Sequence, residues 1–436
     1  MVDSREKFRT SKIQSGFILS CWSLARIDVG NNAFTSILCN AFTPNIQLTM
    51  SFVPRSSFPP LAHLPRSYFL GHHKAGLQKM KSLLSTIDLV IECRDYRVPL
   101  TSRNPLFENS LEGKERLIVY THRDLGPRGS SDEEIIKQWH LPTPTMFVRN
   151  ISSKEGEYHK RKSVNSVLDF LREHAQKRWK LVGHRLLVVG MPNVGKSTLL
   201  NALRAHGIGK GKVAKTGAQP GVTRKIGSGV KIIPSEDDVE SMDESTKRRY
   251  KGVGGGVYLV DTPGVFIPYV PDAEAMLKLA LCGSVKDTII SPVVLADYLL
   301  YHINRVDYTM YAEYLPHGPT NDVVELLEGI ARITGRLGKG GKADTEATAL
   351  WMVQKWRNGD FGKKRDSEVG RGGEMRRDSS EVGKSGHEGK FLLDNVVVGG
   401  LMDDRIREEG AMPSFNQARK AEKDRRRERG RARGAA

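Results

Sequence analysis

The sequence predicts an α/β domain built on a mainly parallel sheet, then a small all-helical domain, then a low-complexity basic tail. Three observations predict this. Short β-branched apolar runs alternate with helical stretches between about residues 71 and 270. A GxxxxGKS loop stands directly between one such strand and one such helix. After residue 272 the strands stop, and Leu, Tyr and Met recur at helical spacing.

The elements follow in order. Residues 1–66 are Ser- and Asn-rich and hold only three acids, Asp3, Glu6 and Asp28. They read either as a mitochondrial targeting segment or as an unstructured N-terminal extension, and Met50 offers a second start. The runs 88–93 (DLVIEC), 117–120 (LIVY), 186–189 (LLVV) and 257–260 (VYLV) read as buried parallel strands. A further strand-like segment is MFVRN. Helices are expected near 73–85, 132–139, 160–178 and 196–205, on both sheet faces. The segment 227–256 carries an acidic run and ends in three glycines, which predicts a flexible loop. Residues 272–361 form the helical domain, and 362–436 a disordered basic tail with one apolar island at 391–401.

The loop Gly190-Met-Pro-Asn-Val-Gly-Lys-Ser197 turns backbone N–H groups and a helix N-terminus toward phosphates. Asn193, Val194, Gly195, Lys196, Ser197 and Thr198 are its nucleotide-binding residues, with Lys196 at the β- and γ-phosphates and Ser197 a Mg²⁺ ligand. Asp261-Thr-Pro-Gly264 follows the strand VYLV. Asp261 can hold Mg²⁺, and Gly264 lets its N–H approach the γ-phosphate. Thr223, in the intervening PGVT turn, can complete the metal shell and sense the γ-phosphate. The base-reading candidate precedes all of these. Thr121-His122-Arg123-Asp124 ends the strand LIVY, and the Asp124 carboxylate can accept both N–H groups on the edge of guanine. Ser152 and Ser153 suit a loop beside the base carbonyl. Base motif before phosphate loop is a circularly permuted order.

This arrangement resembles the circularly permuted GTPases of the RbgA/YlqF ribosome-biogenesis family, mitochondrial members included. The resemblance covers about residues 66–360. It is carried by SYFLGHHKAGL (67–77), DLVIECRDYRVPLTSRNP (88–105), GMPNVGKSTLLN (190–201), QPGVTR (219–224), DTPG (261–264), LLEGIARITGRL (326–337) and KWRNGDFG (355–362). It implies a GTP-hydrolysing assembly factor for the mitochondrial large ribosomal subunit. Such a factor would bind rRNA through the helical domain and work in the matrix or in peripheral contact with the inner membrane. It also implies that His72 orients the attacking water, because Val265 stands where many GTPases carry Gln. Asn193 becomes a potassium ligand. Two departures stand out. Thr-His replaces the family's Asn-Lys at 121–122, and 227–256 is an insertion. With Val265, the altered base motif leaves open a second reading, a nucleotide-gated RNA-binding scaffold with little hydrolysis.

Composition narrows the partners. Four scattered cysteines with no CxxC pair exclude a disulfide scaffold or a zinc site built on such pairs. No apolar run reaches the roughly 18 residues of a membrane-spanning helix. The net charge of +18 predicts a polyanionic partner. The densest basic stretch is 160–231, with 16 Lys or Arg against Asp169 and Glu173, so the nucleotide domain carries much of that charge.

Overall fold

In the computed structural model, strands β1 (Leu89–Asp95) and β4 (His184–Gly190) lie side by side and parallel at the centre of a sheet. The structure describes residues 52–61, 64, 71–111, 113–127, 129, 131–149, 157–214, 229–247, 250–266, 270, 272–362 and 390–395. Successive residues of the central strands face opposite ways. Leu89, Ile91, Cys93, Leu186 and Val188 enter one apolar cluster, while Val90, Leu187 and Val189 enter another. Both faces are covered, which is why these strands read as unbroken apolar runs rather than alternating ones. Each fully buried Val, Leu or Ile contributes about 1.5–3 kcal/mol.

The other strands are β2 (Arg116–Thr121), β3 (Thr145–Phe147), β5 (Val230–Ile233) and β6 (Val257–Asp261). Among the described residues the sheet order is β3-β2-β1-β4-β6-β5. The chain steps outward from β1 to β3 and then returns to β4 on the far side of β1. That reversal makes a crevice at the carboxyl ends of β1 and β4, where open α/β sheets bind ligands. The return is made by α4 (Glu157–Lys177), whose 21 residues span about 30 Å, enough to carry the chain back along the sheet. Helices α4 and α5 (Lys196–Ile208) cover one face. Helices α1 (Gly71–Leu83), α2 (Pro105–Ser110) and α3 (Ser131–Trp139) cover the other.

Helices α8 (Ala273–Leu281), α9 (Pro292–Val306), α10 (Val323–Thr334) and α11 (Thr345–Asn358) follow the sheet, and their apolar faces join the α4–α5 core. Their limits are locally encoded. Asp272, Asp322 and Asp344 cap N-termini, Pro292 opens α9, and Gly335 and Gly359 close α10 and α11 in left-handed conformations.

Three expectations need correction. Segment 227–256 is not simply a loop. Its VKII run forms β5, antiparallel to β6, with Ile232 and Ile233 buried. Its acidic run supplies the short helices α6 (Glu236–Glu240) and α7 (Glu244–Lys247), the first opened by a Ser235/Asp238 capping box. Second, residues 52–61 pack with α9 rather than belonging to an extension. Arg55 forks onto Asp297 at 2.6 and 3.2 Å, and Phe58 meets Tyr298 edge-on at 5.1 Å. Third, residues 390–395 of the expected disordered tail are docked, with Phe391 and Leu393 buried. Apolar anchors override the polar composition around them in both of these segments.

Candidate functional site

Strand register brings the motifs together despite their order in the chain. Cys93 pairs with Gly190, Asp95 with Thr121, and Val188 with Asp261. The GxxxxGKS loop, the DTPG loop and the THRD segment therefore leave the same edge of the sheet.

The first two loops bond chiefly to each other. Ser197 Oγ donates to Asp261 Oδ2 at 2.7 Å, and Thr262 Oγ1 donates to Val188 O at 2.6 Å. Val265 N donates to Gly190 O at 3.2 Å. A Cβ on Gly264 would stand 2.5 Å from Pro192 Cα and 3.1 Å from Lys196 Nζ, so only glycine allows this approach. Lys196 Nζ donates to Met191 O at 2.7 Å, and burial lowers its pKa. Burial raises the pKa of Asp261, against the opposing pull of Ser197 and Lys196. Asp261 Oδ1 is buried with no hydrogen-bond partner among the described residues. An orphaned carboxylate oxygen beside a serine hydroxyl suits a hard divalent cation, so Ser197 and Asp261 fit Mg²⁺. Thr198 follows Ser197 in the first turn of α5.

The third segment is tied differently. Thr121 Oγ1 donates to Val194 O at 2.8 Å, linking it to the GxxxxGKS loop, and also lies 3.1 Å from Arg94 O. His122 adopts a left-handed φ of 57°, and its Nδ1 lies 3.2 Å from Asp95 Oδ2. Arg97 clamps the same Asp95 with Nε at 3.0 Å and Nη2 at 2.7 Å. Burial pushes the Asp95 carboxyl up, but Arg97 and His122 overcome it and hold it far below the usual carboxylate range. Asp124 sits half-buried in the 3-10 turn Arg123–Leu125.

Some expected residues fall elsewhere. Val265 is buried among Met80, Val90 and Val260, so its side chain belongs to the core and not to the crevice. The side chain of His72, together with Thr223, Ser152 and Ser153, lies outside the described residues. The neighbouring His73 is described: its Nδ1 lies 2.9 Å from Gly264 O and 3.3 Å from Phe266 N. The N-terminus of α1 thus abuts the DTPG loop. Asn193 Nδ2 donates to Gly283 O at 2.8 Å, and Ser284 Oγ donates to Pro192 O at 2.9 Å, joining the phosphate loop to the turn after α8.

Sequence reasoning missed His73, Asn104, Arg97 and Ser284. Asn104 Nδ2 holds Val265 O at 2.8 Å, while its Oδ1 accepts from Leu106 N at the start of α2. Asn-Pro before an apolar pair is a readable helix start, and Asp-Tyr-Arg after a strand is a readable charge pair. Ser284 carries no local signal.

Comparison with known proteins gives the family. Residues 185–316 match the family described as "50S ribosome-binding GTPase". Mitochondrial GTPase 1 of Schizosaccharomyces pombe is 32% identical over 332 residues, covering 72% of this chain and 92% of that protein. Mitochondrial GTPase 1 of Saccharomyces cerevisiae is 33% identical, covering 70% and 82%. Mitochondrial ribosome-associated GTPase 1 of Bos taurus is 33% identical, covering 64% and 77%. Among solved structures, GNP-bound YlqF from T. maritima is similar at 21% identity and a TM-score of 0.38, over 65% of this chain and 93% of that one.

Proposed function

Since the chain belongs to the mitochondrial GTPase 1 family and is a GTPase, we propose that it is an assembly factor for the large subunit of the mitochondrial ribosome, supporting mitochondrial translation. The observation that carries this reading is the meeting of Lys196, Ser197, Asp261 and Gly264 with the Thr121–Asp124 segment on one sheet edge. The relatives' names, which include ribosome association, point to the partner.

In this reading the 190–197 loop cradles the phosphates, Lys196 neutralises them, and Asp124 reads guanine. Ser197, Asp261 and Thr223 would hold Mg²⁺, which when bound would add positive charge at the phosphate oxygens. His72 is the water-orienting residue. Its backbone lies at the α1 terminus, beside His73 and the DTPG loop. The Asn193 amide nitrogen is committed to Gly283, so its oxygen is the atom of a type to hold potassium. With Val265 in the core rather than a Gln at the phosphates, intrinsic hydrolysis is slow and awaits an RNA-rich partner. The helices after residue 272 serve as the RNA-binding domain.

The protein would work in the matrix, or at the matrix face of the inner membrane as a peripheral protein. Among the described residues no helix is long and apolar enough to cross a membrane. The test is sedimentation of mitochondrial extracts through a density gradient. Co-migration with large-subunit particles with a non-hydrolysable GTP analogue, and release with GDP, is expected. Co-migration with small-subunit particles, or with neither, overturns the reading.

A further inference from the structure

The turn after β1, whose Asp95 and Arg97 support the THRD segment, is held by residues from the far end of the chain. Leu393 N donates to Arg97 O at 2.9 Å. Asp394 Oδ2 accepts from Leu100 N at 2.9 Å and Thr101 N at 2.8 Å, and its Oδ1 accepts from Thr101 Oγ1 at 2.7 Å. Lys278 Nζ, from α8, lies 3.3 Å from the same carboxylate. One nearly fully buried Asp thus caps the turn after β1 from almost 300 residues away. On one side of it, Leu392 Cδ2 is 3.2 Å from where a Cβ on Gly126 would stand, two residues beyond Asp124. On the other side, Phe391 stacks on His302 and meets Trp356, each at 5.9 Å between ring centroids. Trp356 in turn lies under the Arg97 guanidinium at 5.3 Å. The chain of contacts runs from Phe391 through Trp356, Arg97 and Asp95 to His122.

We propose that residues 391–394 are a strap that positions the guanine-reading segment. Leu392 and Asp394 are its positioning residues, acting through the 96–101 turn and the Arg97–Asp95–His122 ladder. This rests on the reading of Asp124 as the base-binding carboxylate. The physical reason for a strap is local. His122 is left-handed at a non-glycine residue, as is Asn193 in the GxxxxGKS loop. A backbone of that kind keeps its shape only where surrounding contacts over-determine it. Asn193 has its bond to Gly283 O, and the segment after His122 has the Arg97–Asp95 ladder that residues 391–394 hold.

The test uses the full chain with Asp394→Ala and, as a milder variant, Thr101→Val, which removes one bond to the strap. Affinities are measured for GDP and for inorganic tripolyphosphate, both with Mg²⁺. Asp394→Ala is expected to weaken GDP about tenfold and Thr101→Val about threefold, with tripolyphosphate binding unchanged in both. A loss shared equally by GDP and tripolyphosphate, or no loss at all, overturns the strap. The underlying base reading is tested separately with Asp124→Asn. Asparagine offers an N–H where xanthine presents a carbonyl and guanine an amino group, so this variant should exchange GDP for xanthosine diphosphate. Failure of that exchange removes Asp124's role whatever Asp394→Ala does.

Discussion

Around residues 190–197 and 261–264, the side chains of Ser197 and Lys196 bond within the two loops, to Asp261 and to Met191 O, while Asn193 and Pro192 are tied outward to Gly283 and Ser284. Around residues 121–125 the support comes from elsewhere: Val194 for Thr121, Asp95 and Arg97 for His122, and Leu392 for Gly126. The reactive side chains of the phosphate half are braced within its own loops, whereas the base half is braced by the rest of the protein. The difference teaches that the two halves fail differently. Damage to the first removes chemistry, whereas damage to the second loosens geometry.

The largest effect expected is on the self-braced half. Lys196→Ala removes the cation proposed above to neutralise the phosphates, and GTP turnover should fall at least about 100-fold, read as phosphate release. Unfolding in denaturant should barely change. A variant that also loses several kcal/mol of stability would break the comparison, because Lys196 would then be a brace itself.

Next comes Arg97→Ala. It strands Asp95, a buried carboxylate, and should cost about 3–5 kcal/mol in chemical denaturation. The double variant Asp95→Asn with Arg97→Met removes both charges and should recover most of that loss. Failure to recover would mean that Arg97 acts mainly through Cys282 O, Arg357 O and the Trp356 ring rather than through Asp95.

Thr121→Val is smaller. It keeps the shape and deletes one buried hydroxyl donor to Val194 O, at about 1 kcal/mol. The affinity for GDP should drop severalfold while turnover at saturating GTP holds. A fall in turnover would show that the Thr121–Val194 bond serves the phosphate half as well.

This division also explains what the sequence could disclose. The phosphate half is legible because its function sits in contiguous residues: a strand, GMPNVGKS, a helix, then DTPG after another strand. The four central strands were legible because burial on both faces leaves each with a run of mostly apolar residues. β5 was not, since VKII is four residues beside an acidic run, and only pairing with β6 makes it a strand. Asp394 was illegible for a stronger reason. Its partners, Leu100 and Thr101, are nearly 300 residues distant, and no local pattern encodes a cap delivered from that far. Thr121 and His122 read as weakened versions of Asn and Lys. In the structure each has a partner of its own: Val194 O for Thr121, Asp95 for His122.

The smallest effect concerns pH, and it separates the halves most cleanly. Burial lowers the pKa of His302, under Phe391, to about 3, with the charges of Lys278 and Arg305 pushing the same way. The rings of Tyr298 and Tyr301 also face it. Burial lowers His140, which bonds Tyr120 Oη at 2.9 Å, to about 3 as well, with Arg94, Arg103 and Arg116 contributing. Both rings are neutral in the folded protein and titrate near 6.5 once unfolded, so the unfolded chain binds more protons as pH falls. Stability must therefore decrease on acidification, by about 0.4 kcal/mol per ring between pH 7.5 and 6.5, and more steeply below. Both rings brace the base side. His302→Phe keeps the stack on Phe391 without the proton, and should remove part of this slope in denaturation midpoints, His140 and His184, which burial also lowers, keeping the rest. An unchanged slope in His302→Phe would place the proton uptake elsewhere.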